Sequence, residues 1–282
     1  MDSHEVVLDP RPSRVHAAAK LLLDPNPKVH LACERQLLVW GDHARSALAE
    51  FVEVEDVAAR VRIRRLLRRL ERQSWLARWD VFAAGSVDLE EGMFLLCELQ
   101  RPLADLEAMR MEFDAWAHEL QPRVAGLGPR RLVDELREYL HGDLAFRGNR
   151  RNYNDPENSF LDTVMRRRLG IPISLCAIWL LVGRRLGLPL EGVGLPGHFI
   201  LRMRAARSLL VDPFHGGRIV TRRDCVDRIQ AMGYAFEASL LESVDDRRML
   251  LRCLGNLAHG HGDASVRDVL QRARSSLVRP VE

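Results

Sequence analysis

Three residues between Arg147 and Phe214 have types and an order that fit one chemistry. They are Cys176 in Pro172-Ile173-Ser174-Leu175-Cys176, His198 in Pro196-Gly197-His198-Phe199, and Asp212 in Val211-Asp212-Pro213. A thiol, an imidazole and a carboxylate are the parts of an activated cysteine nucleophile. The thiol attacks, the imidazole takes its proton, and the carboxylate holds the imidazole in the useful tautomer.

Local signals predict elements that would position all three. Pro172 disfavours helix in the residue before it, and Ser174 is a good N-cap. Leu175, Ile178, Trp179, Leu181, Val182 and Leu186 predict a largely apolar helix that stops at Gly187 and Pro189. Cys176 then falls in the first turn, where unpaired N–H groups and the positive dipole end favour a thiolate. The same N–H groups suit an oxyanion on a substrate carbonyl. Residues 188–193, 198–203 and 208–212 read as extended runs, with Arg204 to Arg207 short enough for a hairpin connection. Antiparallel pairing of the last two brings His198 and Asp212 to the same end, provided the register allows it.

Several motifs carry a resemblance. Gly148-Asn149, Tyr153, Asp155-Pro156, Asn158-Ser159-Phe160-Leu161, the run Arg167 to Leu175 and Pro196-Gly197-His198-Phe199 occur in order with suitable spacing. Together they resemble the SirB-type transglutaminase-like proteins. The likeness extends upstream over a helical region and downstream into a short helical tail similar to the start of a tetratricopeptide-like segment. It implies an α+β protein with a papain-like core, a small antiparallel sheet and a Cys-His-Asp site on Cys176, His198 and Asp212. Relatives often carry serine or another residue at the Cys176 position, so membership does not by itself imply catalysis.

Each residue also has a plain structural reading. A lone cysteine is often a small buried hydrophobe. His198 fits a satisfied histidine at a strand start, and Asp212 before Pro213 fits a turn carboxylate. The polar run Asn149 to Pro156 reads as a loop, in which Tyr153 or Asn158 would donate to a substrate or oxyanion; Asn158 equally fits a helix cap.

Composition sets the frame. The 282 residues are 47% hydrophobic and 29% charged, ordinary for a globular protein, and the net charge of +3 demands no polyanionic partner. The polar start Met1 to Glu5 lacks a secretory h-region, and the longest apolar run, Ile173 to Gly183, is too short to span a membrane. Five scattered cysteines (Cys33, Cys97, Cys176, Cys225, Cys253) fit a reducing cytoplasm. The arginines of residues 59–72 surround an apolar stripe and face nearby acids, so a solvated helix face is expected and no nucleic acid. No metal is expected. His259-Gly260-His261 lacks a third ligand, and a His198-Asp212-His215 site would leave Cys176 unexplained.

The chain is expected to divide into a helical domain over 1–125, a transglutaminase-like core over 126–240 and a helical tail over 241–282. Helices are predicted over 28–40, 44–51, 57–73, 89–99, 102–120 and 130–140, with a linker across the Gly/Pro-rich residues 122–129. Two functions fit. The first is a cofactor-free cysteine hydrolase or acyltransferase acting on an amide or peptide carbonyl. The second is a non-catalytic interaction or regulatory protein whose cleft holds a peptide or protein partner.

Overall fold

The computed structural model describes residues 10–205 and 207–278. It forms two compact units, Met1–Trp79 and Asp80–Glu282. The first unit contains α1 (Pro12–Lys20), α2 (Pro27–Trp40), α3 (Asp42–Ala49) and most of α4 (Val57–Ala84). Asn26 caps α2 by accepting from the Lys28 N–H, and Pro27 opens the helix where its missing N–H is harmless. Val15, Ala19, Leu22, Leu37, Leu48, Ile63, Leu66 and Leu70 make its core. Several arginines around that stripe are occupied within the unit. Arg62 donates to the Leu22 carbonyl, Arg64 pairs with Glu53 at 2.8 Å, and Arg69 pairs with Glu34.

The boundary lies inside α4, well before the break anticipated near residue 125. The reason is packing. α5 (Leu89–Gln100) and α6 (Leu106–Val124) present Leu89, Met93, Phe94, Leu96, Phe113 and Leu120 to the second unit's interior. α7 (Pro129–Arg137) follows, and a wider π-type turn over Glu138–Asp143 continues it. The expected linker is thus only the short stretch between α6 and α7, and α6 runs through Pro122.

The rest of this unit is α+β. β1 (Arg147–Gly148) pairs in parallel with β2 (Leu169–Gly170), flanking α8 (Leu161–Arg167). α9 (Pro172–Arg185) is buried on every side from Pro172 to Gly183, the pattern of a central helix. An antiparallel sheet of order β6-β5-β4-β3-β7 lies against it, formed by β3 (Leu190–Leu195), β4 (His198–Met203), β5 (Leu209–Asp212), β6 (Arg218–Val220) and β7 (Ser243–Val244). α10 (Arg222–Ala231) follows β6, while α11 (Asp246–Gly260) and α12 (Ala264–Val278) form a packed pair at the end.

The pleat gives the sheet two different faces. Strand pairing sets Leu190, Gly192 and Gly194 beside Met203, Leu201 and Phe199. α9 packs on this side, where a Cβ at Gly183 would meet Leu190 Cδ1 at 2.6 Å. A Cβ at Gly192 would meet the Phe199 ring at 2.9 Å, so both glycines admit neighbours that any side chain would displace. Val193, Leu195 and Ile200 point the other way and join Val220, Cys225, Ile229 and Leu241, the α10 side.

Candidate functional site

His198 begins β4 after the two-residue turn Pro196-Gly197. Gly197 has φ +63°, a left-handed conformation natural to glycine. His198 pairs with Leu195 across the turn, and its ring lies against Phe214 and His215, centres 6.1 and 5.5 Å apart. Asp212 ends β5, and Pro213–His215 form a single 3-10 turn directly after it. The Asp212 carboxylate tightens that turn by accepting the His215 N–H at 3.2 Å. Gly148 supports it from β1, since a Cβ there would lie 2.5 Å from the Phe214 carbonyl.

One carboxylate oxygen serves two imidazoles. Asp212 Oδ2 lies 2.9 Å from His198 Nε2 and 2.7 Å from His215 Nδ1. Both His198 and Asp212 are nearly inaccessible. With the carboxylate ionised, each of these ring nitrogens donates, which leaves His198 Nδ1 and His215 Nε2 as the lone-pair atoms. Burial alone would raise the Asp212 pKa, but hydrogen bonds and charge from His198 and His215 outweigh it and hold it near about 2. Burial lowers the pKa of His215 despite the adjacent carboxylate. The three ligand-type atoms of His198, Asp212 and His215 lie within 4.8 Å of one another. Their present contacts are hydrogen bonds at 2.7–2.9 Å, closer than ligands spread around a shared ion, so they read as an orienting network.

Cys176 is placed differently. α9 starts earlier than its sequence suggests, with Ile171 as N-cap and Pro172 as first residue. Ser174 is therefore the third helical residue. Its hydroxyl accepts the Ile171 N–H at 3.0 Å and donates to the Asn158 carbonyl at 2.7 Å. Cys176 falls one turn deeper than a first-turn nucleophile. It has no accessible surface, and its thiol points to the Phe199 carbonyl at 3.6 Å. Burial pushes its pKa well above the usual thiol value, the charge of Asp212 adds to that, and Arg252 opposes it weakly. No hydrogen bond joins Cys176 to His198 among the described residues.

Asn158 is a loop organiser. Its amide donates to the carbonyls of Asn152 at 2.7 Å and Tyr153 at 3.2 Å, and its oxygen accepts from Asn149 at 2.9 Å. These bonds use both amide hydrogens, so none is left for a substrate oxyanion. Tyr153 is exposed and lies edge-on to Phe214, ring centres 5.8 Å apart. His215 and Phe214 help line a cleft of about 360 Å³ together with His141, Arg147, Gly148 and Arg150. Behind it His141 accepts from the Trp179 indole at 3.1 Å and contacts the Phe146 carbonyl at 2.7 Å. His215 as a second imidazole on the carboxylate is readable from Asp-Pro-Phe-His, because a 3-10 turn returns the fourth residue to the first.

The comparisons with known proteins agree with this architecture. Residues 107–255 match the Transglutaminase-like superfamily family model, more than half of the chain. A UPF0162 protein of Xylella fastidiosa (strain 9a5c) is 37% identical over 153 residues, covering 52% of this chain and 54% of that protein. A second, from strain Temecula1, is 41% identical over 129 residues, 43% and 46% of the two chains. F-box only protein 21 of Mus musculus is 34% identical over 135 residues, 45% of this chain and 21% of that protein. The chain thus spans about half the length of the bacterial relatives it matches, and a fifth of the mouse protein. No solved structure matches it.

Proposed function

The chain belongs to the Transglutaminase-like superfamily, and from that premise we propose that it is a non-catalytic binding module of the SirB type. It holds a peptide or protein segment in the cleft beside His215 and Phe214 and acts in the cytoplasm. The single observation that carries this reading is the position of Cys176, sealed in the core with its thiol on a backbone carbonyl. A nucleophile needs its thiolate, and burial together with the nearby Asp212 charge opposes one more than Arg252 favours it. The His198–Asp212–His215 network then stiffens the cleft wall. The stretch shared with F-box only protein 21 makes up a fifth of that protein, which fits a module used inside longer chains.

The competing reading is a cysteine hydrolase or acyltransferase using Cys176, His198 and Asp212. The orientation of His198 favours it, because Nε2 bonded to Asp212 leaves Nδ1 available as a base. It requires α9 to expose its second turn. An amine-incorporation assay with dansylcadaverine and dimethylcasein, run beside hydrolysis of a glutamine peptide amide, separates the two. The binding reading expects no turnover above a Cys176→Ala control. Turnover that vanishes in that variant overturns it.

A further inference from the structure

Arg252 is a cation with no anionic partner among the described residues. It sits half-buried on α11, donates from Nη2 to the Leu195 carbonyl at 2.6 Å, and lies 5.7 Å from the centre of the Phe199 ring. Its neighbours in the fold are treated otherwise: Arg184 holds Asp246 at 2.5 Å, and Arg185 holds Glu90 at 2.7 Å and Asp114 at 2.5 Å. No acidic side chain pairs with Arg252 among the described residues, and burial lowers its pKa. A guanidinium stays charged even so, and a desolvated charge gains most from a partner.

Its surroundings supply further donors. Asn256 follows Arg252 by four residues, so both occupy one face of α11. Tyr153, Ser159 and Asn256 line a cleft of about 130 Å³, and none of their side-chain hydroxyl or amide groups makes a hydrogen bond among the described residues. The one carboxylate lining this cleft, Asp155, is held by Arg167 at 3.0 Å and by the Glu157 N–H.

We propose that this cleft, with Arg252 beside it, binds a carboxylate of a partner peptide, supplied by an acidic side chain or by the chain terminus. The inference rests on the binding-module reading and adds to it a second pocket, adjoining the cleft beside His215 and Phe214 through Tyr153, whose ring lies 5.8 Å from that of Phe214. Charge-assisted hydrogen bonds from a guanidinium to a carboxylate are the strong kind and carry the recognition.

The test titrates the full chain with three peptides while following the side-chain NMR signals of Arg252 and Asn256. The probes are N-acetyl-Ala-Glu-Ala-amide, N-acetyl-Ala-Ala-Ala with a free terminus, and N-acetyl-Ala-Gln-Ala-amide. At least one carboxylate peptide is expected to shift both signals, and the glutamine peptide neither; which of the two binds identifies the source. Asn256→Asp, at an exposed position that leaves the fold intact, should weaken binding about tenfold through like-charge repulsion. Arg252→Lys should weaken it by a similar factor, about tenfold, by losing the planar fork. No shift with either carboxylate peptide, or an equal shift with the glutamine peptide, overturns the proposal. Turnover lost in Cys176→Ala would sink the wider reading and leaves this titration to be judged by itself.

Discussion

Phe199 and His198 are neighbours in β4, yet their side chains meet different environments. On the α9 side, Phe199 lies over two glycines beside Leu201 and Met203, and Cys176 closes the layer with its thiol on the Phe199 carbonyl. At the start of the strand, His198 meets a carboxylate shared with a second imidazole. The first face is a dry, close-packed core in which sulfur acts as a small hydrophobe. The second is a buried polar network in which every donor facing Asp212 has a fixed partner. Here the helix begins one turn before Ser174's expected cap, so its thiol is drawn inward.

The contrast is most easily broken on the dry side. Phe199→Ala should destabilise the second unit by about 3–5 kcal/mol, because it empties the layer between Gly192, Gly194 and Arg252. Urea unfolding measures this, and a loss under about 1 kcal/mol would mean the face is loosely packed.

On the polar side, Asp212→Ala should cost about 2–3 kcal/mol, since it leaves the buried His198 and the partly exposed His215 without their acceptor. The same carboxylate sets an acid limb. Its folded pKa of about 2 lies below the ordinary 3.8, so the stability it contributes is present above about pH 4 and lost as pH falls toward 2. The lowered pKa of His215 acts in the same direction, beginning nearer its ordinary value of 6.5. Asp212→Asn should flatten the limb between pH 4 and about 2 in a stability-against-pH series. An unchanged limb would separate Asp212 from the network.

The smallest effect sharpens the comparison most. Cys176→Ser should cost only about 1 kcal/mol, because a hydroxyl can still donate to the Phe199 carbonyl while giving up some apolar contact. Thermal unfolding reads it, and binding to any partner should persist.

Much of this arrangement was readable beforehand. The apolar run from Leu175 to Leu186 marked a buried helix, and the alternating runs after it marked β4 and β5 with a hairpin between them. The β-favouring run that begins at His198 and the run closed by Pro213 place His198 and Asp212 at strand ends. What local signals missed were choices made by the rest of the fold. Ser174 and Pro172 both look like helix starts, and tertiary bonds from Ser174 to Asn158 decided for the earlier one. By sequence Asn158 fits a substrate donor or a helix cap equally, because its loop partners, Asn149, Asn152 and Tyr153, engage it only once the loop closes. Arg252 carried no motif. Its significance comes from what is missing around it, which a sequence does not display.

The central claim concerns Cys176, and its alkylation rate against pH tests it most directly. Iodoacetamide labelling followed by peptide mass spectrometry compares it with the half-exposed Cys33 in the same sample. The account predicts labelling of Cys176 far slower than Cys33 at every pH where the protein is folded, unchanged by His198→Ala. Fast labelling that persists well below the free-thiol pKa of about 8.5, and that His198→Ala abolishes, would contradict it by revealing an activated thiolate–imidazole pair.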